Sequence, residues 1–223
     1  NKDKSGDDAN LEAKSRLVIP GHVDPDGDIP VEDGGFRTDA PTAPQLAFHL
    51  MCSFAARYRW RLKTFDCKTA FLTGKSHDRD IYVRLPKEGL PGVENGSLIK
   101  LIKGAYGLRE APRLWYLKAK ETIEKAGFEE LRTGRGAFVL RDRTGPEPKL
   151  VAILVLHVDD ACHAGHGPVY EKACQYIFRN LTIGRHGQDD FTFLGRHVVQ
   201  LDDCTIMLDQ KEFWENVHPV PMK

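Results

Sequence analysis

An uninterrupted apolar run that ends beside two adjacent aspartates is the strongest constraint on how this chain can fold. The longest apolar run, Leu150–Leu156, has the length of a strand, and Asp159 and Asp160 follow it after two intervening residues. Two neighbouring carboxylates repel each other, and burial beside a sheet is costly unless a cation compensates them. The segment therefore predicts a β-hairpin, continued by a strand over 161–164, with two acids at its tip.

A second predicted strand also leads into an acid. Residues Arg61–Phe65 alternate as a strand does, and Asp66 follows directly. Three carboxylates at adjacent strand ends would suit two-metal phosphoryl transfer, and Mg²⁺ is usually held by one or two carboxylates plus substrate phosphates. The alternative is an ordinary hairpin turn at Asp159 and Asp160, because Asp is a favoured turn residue.

Gly and Pro divide the rest of the chain into helices and strands in irregular alternation. We expect helices over 41–58, from Pro112 to just before Gly127, and over 169–180. In the first, Thr42 is the candidate N-cap, and Leu46, Leu50, Met51 and Phe54 lie on one apolar face. Further strands are expected over 14–20, 81–85, 138–141, 191–201 and 205–208. Because no strict βαβ rhythm is present, the predicted fold class is α+β.

Charge is unevenly distributed although the 223 residues carry no net charge. Residues 1–40 carry 5 basic and 10 acidic side chains, 61–140 carry 16 and 10, and 141–223 carry 9 and 12. The basic middle could follow a phosphate backbone, and part of the acidic excess could bind metal.

The cysteines argue against a disulfide framework. There are five, an odd number, and no CxxC pair, which favours reduced thiols. One alternative for the hairpin is a zinc site built from Cys162, His163 and His166, beside the two aspartates. Ligands on a strand or turn need not converge, however, so a surface cluster is the preferred interpretation.

Five blocks of this sequence together resemble the reverse transcriptase of copia-type LTR retrotransposon Pol polyproteins. Each block has a counterpart in the motifs of that family, in the same order and at the usual spacing. The blocks are Lys14–Val18 (KARLV), Phe65–Gly74 (xDVKTAFLNG), Tyr106–Tyr116 (YGLKQAPRxWY), Leu154–Gly165 (LLxYVDDxxxxG) and Phe193–Gly195 (FLG).

The resemblance implies a right-hand polymerase with palm and fingers and with most of the thumb missing. Residues 1–13 would be a disordered or linker tail, and 14–60 and 74–110 the two parts of the fingers. The palm would comprise 61–73, with the first catalytic Asp, and 111–204, with the hairpin and primer-grip region. Residues 205–223 would begin the connection to the thumb.

The resemblance also implies roles for individual residues. Asp66, Asp159 and Asp160 match the catalytic carboxylates that bind two Mg²⁺ ions, which Mn²⁺ could replace. The residues matching the dNTP site are Lys14, Arg16, Thr69, Ala70, Phe71, Tyr106 and Gly107, with the Phe71 ring as the gate beneath the sugar. The primer would be positioned by His157, Phe193, Leu194 and Gly195, and Arg185 is the candidate proton donor to pyrophosphate.

Three positions depart from the family pattern. His157 replaces a tyrosine beside the primer end, so we expect altered efficiency rather than loss of activity. Glu110 replaces a glutamine and would add negative charge near the phosphates. Cys67 replaces a valine, a small change that should be harmless.

The function implied is RNA-directed DNA polymerisation by two-metal nucleotidyl transfer. The alternative is an inactive or domesticated reverse-transcriptase-like domain that binds nucleic acid without extending it, and the chain alone could be inert without a thumb. Expected partners are an RNA or DNA template with primer, dNTPs, and the thumb, RNase H and integrase of the polyprotein, with no membrane. The expected location is the cytoplasm, within virus-like particles, with access to the nucleus.

Overall fold

The structure, a computed structural model, describes residues 16–85, 87, 89 and 92–217. Its helices are α1 (Gln45–Tyr58), α2 (Ala70–Thr73), α3 (Ala111–Lys125), α4 (Pro168–Asn180) and α5 (Lys211–Glu215). Its strands are β1 (Leu62–Cys67), β2 (Ser76–Arg84), β3 (Leu98–Lys103), β4 (Phe128–Leu131), β5 (Gly134–Asp142), β6 (Lys149–His157), β7 (Asp160–Gly165), β8 (Ile183–Gln188), β9 (Asp190–Phe193), β10 (Arg196–Gln200) and β11 (Ile206–Asp209). The fold is mixed α/β.

A six-stranded sheet in the order β4-β5-β6-β7-β1-β8 forms the centre of the protein, and its neighbouring strands pair antiparallel. Successive side chains of β6 point to opposite faces, as strand geometry requires. Leu154 and Leu156 pack in the cluster that contains α3 and α4 residues, and Ile153 and Val155 pack in the cluster that contains α1 residues. Because both faces are covered, β6 is a continuous apolar run rather than an alternating one.

Helix α3 begins and ends as the sequence predicts. Pro112 lies in its first turn, and Gly127 follows its end with a φ of 102°. Trp115 and Ile123 are buried against the central sheet. Helix α4 likewise confirms the expected helix over 169–180.

Helix α1 corrects the prediction for 41–58. It begins at Gln45, because Pro44 disfavours helical backbone at Ala43, whose N–H instead donates to the Leu156 carbonyl at 3.1 Å. Thr42 is therefore not the N-cap. The buried face is formed by Phe48, Met51, Cys52 and Ala55, whereas Leu46 and Leu50 are 67% and 49% exposed.

Several strand predictions also need correction. The described residues of 14–20 form no strand; Ile19 donates its N–H to the Tyr106 carbonyl at 2.7 Å instead. Strands β3, β4 and β8 are not predicted from the sequence. The expected strand over 191–201 is two strands, because Leu194 and Gly195 both have positive φ and form a turn. Strands β9, β10 and β11 form a separate sheet.

A third small sheet, β2 with β3, packs over the loop that precedes α3. Ile81, Leu108 and Ala111 form its buried cluster, and Phe71 packs against it from α2. Within the part of the chain that the structure describes, no helix has both the length and the apolar character needed to cross a membrane.

Candidate active site

Strand register places two of the three candidate catalytic acids side by side. In the antiparallel pair of β1 and β7, Asp66 lies directly opposite Asp160, and in the pair of β6 and β7, His157 lies opposite Asp160. Directly opposite residues project to the same face, with Cβ atoms about 4.5–5.5 Å apart. His157, Asp160 and Asp66 therefore form a row across three strands.

The third acid, Asp159, joins this row through the backbone. Its carbonyl accepts a hydrogen bond of 2.9 Å from the Cys67 N–H at the end of β1. The turn between β6 and β7 is thus attached to the strand that carries Asp66. All three predicted carboxylates lie at one end of the central sheet.

The acids concentrate negative charge at this end, and the Arg185 guanidinium beside Asp66 compensates part of it. Partial burial, together with the charges of Asp159 and Asp66, raises the pKa of Asp160. Burial and the same three aspartates raise the pKa of the neighbouring Cys67 thiol to about 12. Among the described residues, no group of three or more His, Cys, Asp and Glu side chains is arranged to hold a metal ion. Asp66 and Asp160, which share one face of the sheet, would suit a cation held by one or two carboxylates plus substrate phosphates.

Strand β8 fixes the orientation of the Asp66 side chain. The Arg185 backbone N–H donates to Asp66 Oδ1, and the Arg185 guanidinium Nε lies 3.5 Å from the same oxygen. At Gly184 an added Cβ would lie 2.6 Å from Asp66 Oδ2, so only glycine leaves room for the carboxylate. Our sequence reasoning missed Gly184, although a glycine within a strand often marks such a close approach.

A cleft of about 390 Å³ lies beside the acids. Asp66, Asp160 and Arg185 line one part of it, and Phe191–Phe193 line another. The Phe193 ring is 3% exposed and packs 5.3 Å from the Phe48 ring, which ties this wall to α1. Leu194 and Gly195 continue from this wall into the turn before β10, where both have positive φ.

A second group of predicted residues meets around Tyr106. The Phe71 and Tyr106 rings lie edge to face with centroids 5.5 Å apart, and the Arg16 guanidinium lies 5.4 Å from the Tyr106 centroid. Phe71 is half-buried and belongs to α2, which follows Asp66 closely. Gly107 has a φ of 92°, and an added Cβ there would lie 2.0 Å from the Ile19 carbonyl oxygen. Lys14, predicted beside Arg16, lies outside the described residues.

Thr69 and Ala70 form the link between these two groups. Thr69 precedes α2 with a φ of 50°, and its carbonyl accepts from Leu72 at 2.9 Å. Ala70 is 4% exposed and packs in the same cluster as Trp115. The Ala70 N–H, at the first position of α2, precedes the N–H groups that bond within the helix, which leaves it available to a ligand.

The departures from the family pattern have distinct environments. His157 has its Nδ1 buried without a hydrogen-bond partner among the described residues. Cys67 is buried in the core, as a small apolar residue would be. Glu110 is 4% exposed and its Oε1 accepts from Arg79 Nη2 at 2.7 Å. The charge of Glu110 is thus paired inside the protein rather than added to an open phosphate site.

The zinc alternative is wrong. Cys162 and His163 are successive residues of β7 and project to opposite faces of the sheet. The His163 side chain is buried, and its Nδ1 is hydrogen-bonded to the Tyr170 hydroxyl at 2.9 Å. The preferred interpretation, a surface cluster, is also wrong for Cys162 and His163, because both are buried and contribute to the core on two separate sides of the sheet.

Fold and site together define a mixed α/β domain that gathers carboxylates at the end of a buried β-hairpin beside an open cleft. A sequence model of the family described as "Reverse transcriptase (RNA-dependent DNA polymerase)" matches residues 1–218. The chain therefore belongs to the reverse transcriptase family.

Three relatives have the same printed description, "Retrovirus-related Pol polyprotein", and come from plant transposons. The chain is 27% identical over 155 residues to that of transposon RE1 of Arabidopsis thaliana, covering 70% of this chain and 10% of the relative. It is 25% identical over 183 residues to RE2 of the same plant, covering 82% and 12%. With TNT 1-94 of Nicotiana tabacum it is 29% identical over 162 residues, covering 73% and 11%. The chain thus spans about a tenth of these polyproteins, and the resemblance to copia-type Pol is confirmed.

Proposed function

We propose that this chain is the catalytic core of an RNA-directed DNA polymerase that works by two-metal nucleotidyl transfer. The observation that carries the proposal is the pairing of Asp66 with Asp160, with Asp159 attached to the same strand end through Cys67. The excess negative charge of these acids, which Arg185 offsets in part, supports a cationic ligand, since burial and mutual repulsion disfavour the charged carboxylates.

Asp66, Asp159 and Asp160 would hold two Mg²⁺ ions, or Mn²⁺ in their place. Bound ions would activate the attacking primer hydroxyl and neutralise the leaving pyrophosphate. The contribution of the chain itself is orientation: Gly184 and the Arg185 N–H fix the Asp66 carboxylate.

The group around Tyr106 would form the dNTP site. The half-buried Phe71 ring would stand beneath the sugar, with Tyr106 supporting its edge. The N–H groups of Thr69 and Ala70 would bind the triphosphate, as N–H groups at a helix start bind anions. Arg16, and Lys14 before it, would add positive charge to that site, and Gly107 would let the chain pass close to Ile19.

The part of the cleft lined by Phe191–Phe193 would position the primer. Phe193, Leu194 and Gly195 form this wall and its turn, and His157 lies in the row beside Asp160. Arg185 is the candidate proton donor; because a guanidinium gives up its proton poorly, its contribution would come mainly from its charge. Its side chain is 89% exposed, so substrate can reach it.

The wider proposal follows the family. Residues 61–73 and 111–204 would be palm, 14–60 and 74–110 fingers, and 205–223 the start of the thumb connection. Partners would be a primed RNA or DNA template and the thumb, RNase H and integrase of a Pol polyprotein, in cytoplasmic virus-like particles with access to the nucleus. Phe213 and Trp214 are 57% and 66% exposed on α5, so both side chains would be available to pack against the thumb.

Primer extension by the full natural chain tests this function. The assay uses a primed RNA template, Mg²⁺ and all four dNTPs, with Asp159→Asn as the inactive control. Extension that is lost in this variant supports the proposal. Template binding without extension would instead support the alternative, a domain that binds nucleic acid but does not copy it.

A further inference from the structure

The turn that carries the acids contains a strained residue. Val158 has a φ of 55°, in the left-handed region. A β-branched residue is a genuine outlier there, and such strain costs about 1–3 kcal/mol unless the surroundings enforce it. Something must therefore hold the backbone between His157 and Asp159.

Two hydrogen bonds fix the carbonyls on this turn. The Val158 carbonyl accepts from the indole Nε1–H of Trp115 at 2.7 Å, and the Asp159 carbonyl accepts from the Cys67 N–H at 2.9 Å. Trp115, on α3, is 1% exposed and belongs to the core cluster between α3 and the central sheet. A buried indole N–H needs a partner, and this one finds it in the strained turn.

We propose that Trp115 is a positioning residue that holds the Val158–Asp159 turn in its strained conformation. It thereby fixes the positions of the Asp159 and Asp160 carboxylates. This inference deepens the proposed polymerase function and rests on it for its kinetic part. Its structural part, the restraint of the turn, holds for the protein without metal or substrate.

The chain offers a closely matched control in Tyr116, the next residue of α3. Its side chain is also buried and its hydroxyl also donates a hydrogen bond, but to Glu130 on β4. Tyr116→Phe and Trp115→Phe each remove one buried donor and keep an aromatic ring. Only the second removes a contact with the turn.

The first readout is hydrogen exchange at the Cys67 amide in the metal-free full natural chain. Because this amide donates to Asp159, its exchange reports whether the turn stays on β1. We expect exchange, relative to the Leu154 amide in mid-β6, to rise at least about tenfold in Trp115→Phe, which is the effect of about 1.4 kcal/mol of lost restraint. In Tyr116→Phe it should stay within about twofold.

The second readout is steady-state primer extension. Trp115→Phe should lower kcat by about 10- to 100-fold, since small displacements of reacting groups are costly, and should leave the KM for dNTP within about twofold. Adding Val158→Asn should restore part of both the protection and the kcat, because Asn tolerates the left-handed conformation.

The outcomes separate the two proposals. Unchanged Cys67 exchange in Trp115→Phe, or an equal change in Tyr116→Phe, overturns the positioning role whatever the activity. If the wild-type chain does not extend a primer but Cys67 protection depends on Trp115, the polymerase proposal fails and the restraint of the turn stands. A Trp115→Phe chain with wild-type kcat would overturn the catalytic consequence.

Discussion

Asp66 and Asp160 lie directly opposite each other across β1 and β7, although 94 positions separate them in the sequence. Neither residue belongs to a pattern that fixes this pairing locally. Strand register sets it, and a slip of one residue would move one carboxylate to the other face of the sheet. The candidate site therefore depends on a correctly registered core.

Removing the charge of Asp160 should abolish activity without lowering the stability of the fold. Asp160→Asn should abolish primer extension, because the acid is part of the proposed metal site. It should leave the metal-free free energy of unfolding equal or higher, since the repulsion from Asp159 and Asp66 is relieved. Urea unfolding and primer extension measure the two effects. A variant that loses much stability would show that Asp160 has a structural role instead.

Gly184 should tolerate no side chain. In Gly184→Ala the new Cβ would lie 2.6 Å from Asp66 Oδ2, so the carboxylate must move. We expect primer extension to fall at least about tenfold, because misplaced reacting groups are costly. Gly187→Ala is the control: its Cβ crowds the Thr64 hydroxyl at the same 2.6 Å on the same strand. Equal losses in both variants would indicate general damage to β8.

Arg79 should be a large contributor to stability. It pairs with Asp24, Asp26 and Glu110, and the Asp24 and Glu110 side chains are only 9% and 6% exposed. Arg79→Met removes the guanidinium that pairs with both buried carboxylates, which we expect to cost about 3–5 kcal/mol in urea unfolding.

Two further variants accompany this test: one is an exposed control pair, and the other tests the pairing of Arg79 with Glu110. Arg143→Met removes an exposed pair with Glu129 and should cost no more than about 1 kcal/mol. Glu110→Gln in the Arg79→Met background should recover part of the loss. Simple additivity of the two changes would contradict direct coupling between the residues.

The hairpin that carries Asp159 and Asp160 is predictable from the sequence, whereas the contacts that orient the acids are not. Leu150–Leu156 is apolar and long enough for a strand, so the hairpin and Asp159–Asp160 follow from local pattern. The contact of Gly184 with Asp66 depends on a strand pairing that no local rule fixes, and Ile183–Gln188 is not apolar enough to be recognised as a strand. Helix α1 shows the same limit, because whether Leu46 or Phe48 faces the core is decided by the sheet beneath it.

His163 should make the protein acid-sensitive. Burial, and then the charges of Lys63 and His186, lower the pKa of His163 to about 3. The unfolded chain takes up this proton near pH 6.5, whereas the folded chain does not, so stability falls as the pH drops below 6.5. Between pH 7 and pH 5 the loss should be about 2 kcal/mol from this residue. Urea unfolding of wild type and His163→Gln at both pH values isolates the contribution; an identical pH dependence in both would contradict it.

Sugar selection should depend on Phe71. Its half-buried ring is supported edge-on by Tyr106 and follows Ala70 at the start of α2, close to Asp66 along the chain. A ribonucleotide adds one oxygen to the sugar, and a rigid wall rejects an added group because overpacking costs about 1–3 kcal/mol. Phe71→Ala should therefore raise ribonucleotide incorporation at least about tenfold relative to dNTPs, equal to about 1.4 kcal/mol of lost discrimination.

The neighbouring Leu72 provides the control for this prediction. It lies on the same short helix but is 44% exposed, so Leu72→Ala should leave the ratio of ribonucleotide to deoxynucleotide use within about twofold. Measuring kcat/KM for one matched pair, such as ATP and dATP, on the same primed template gives that ratio directly. The competing role for Phe71 is core packing, since it contacts two apolar clusters. Core packing alone would lower both values of kcat/KM together and leave their ratio unchanged, whereas a sugar gate changes the ratio.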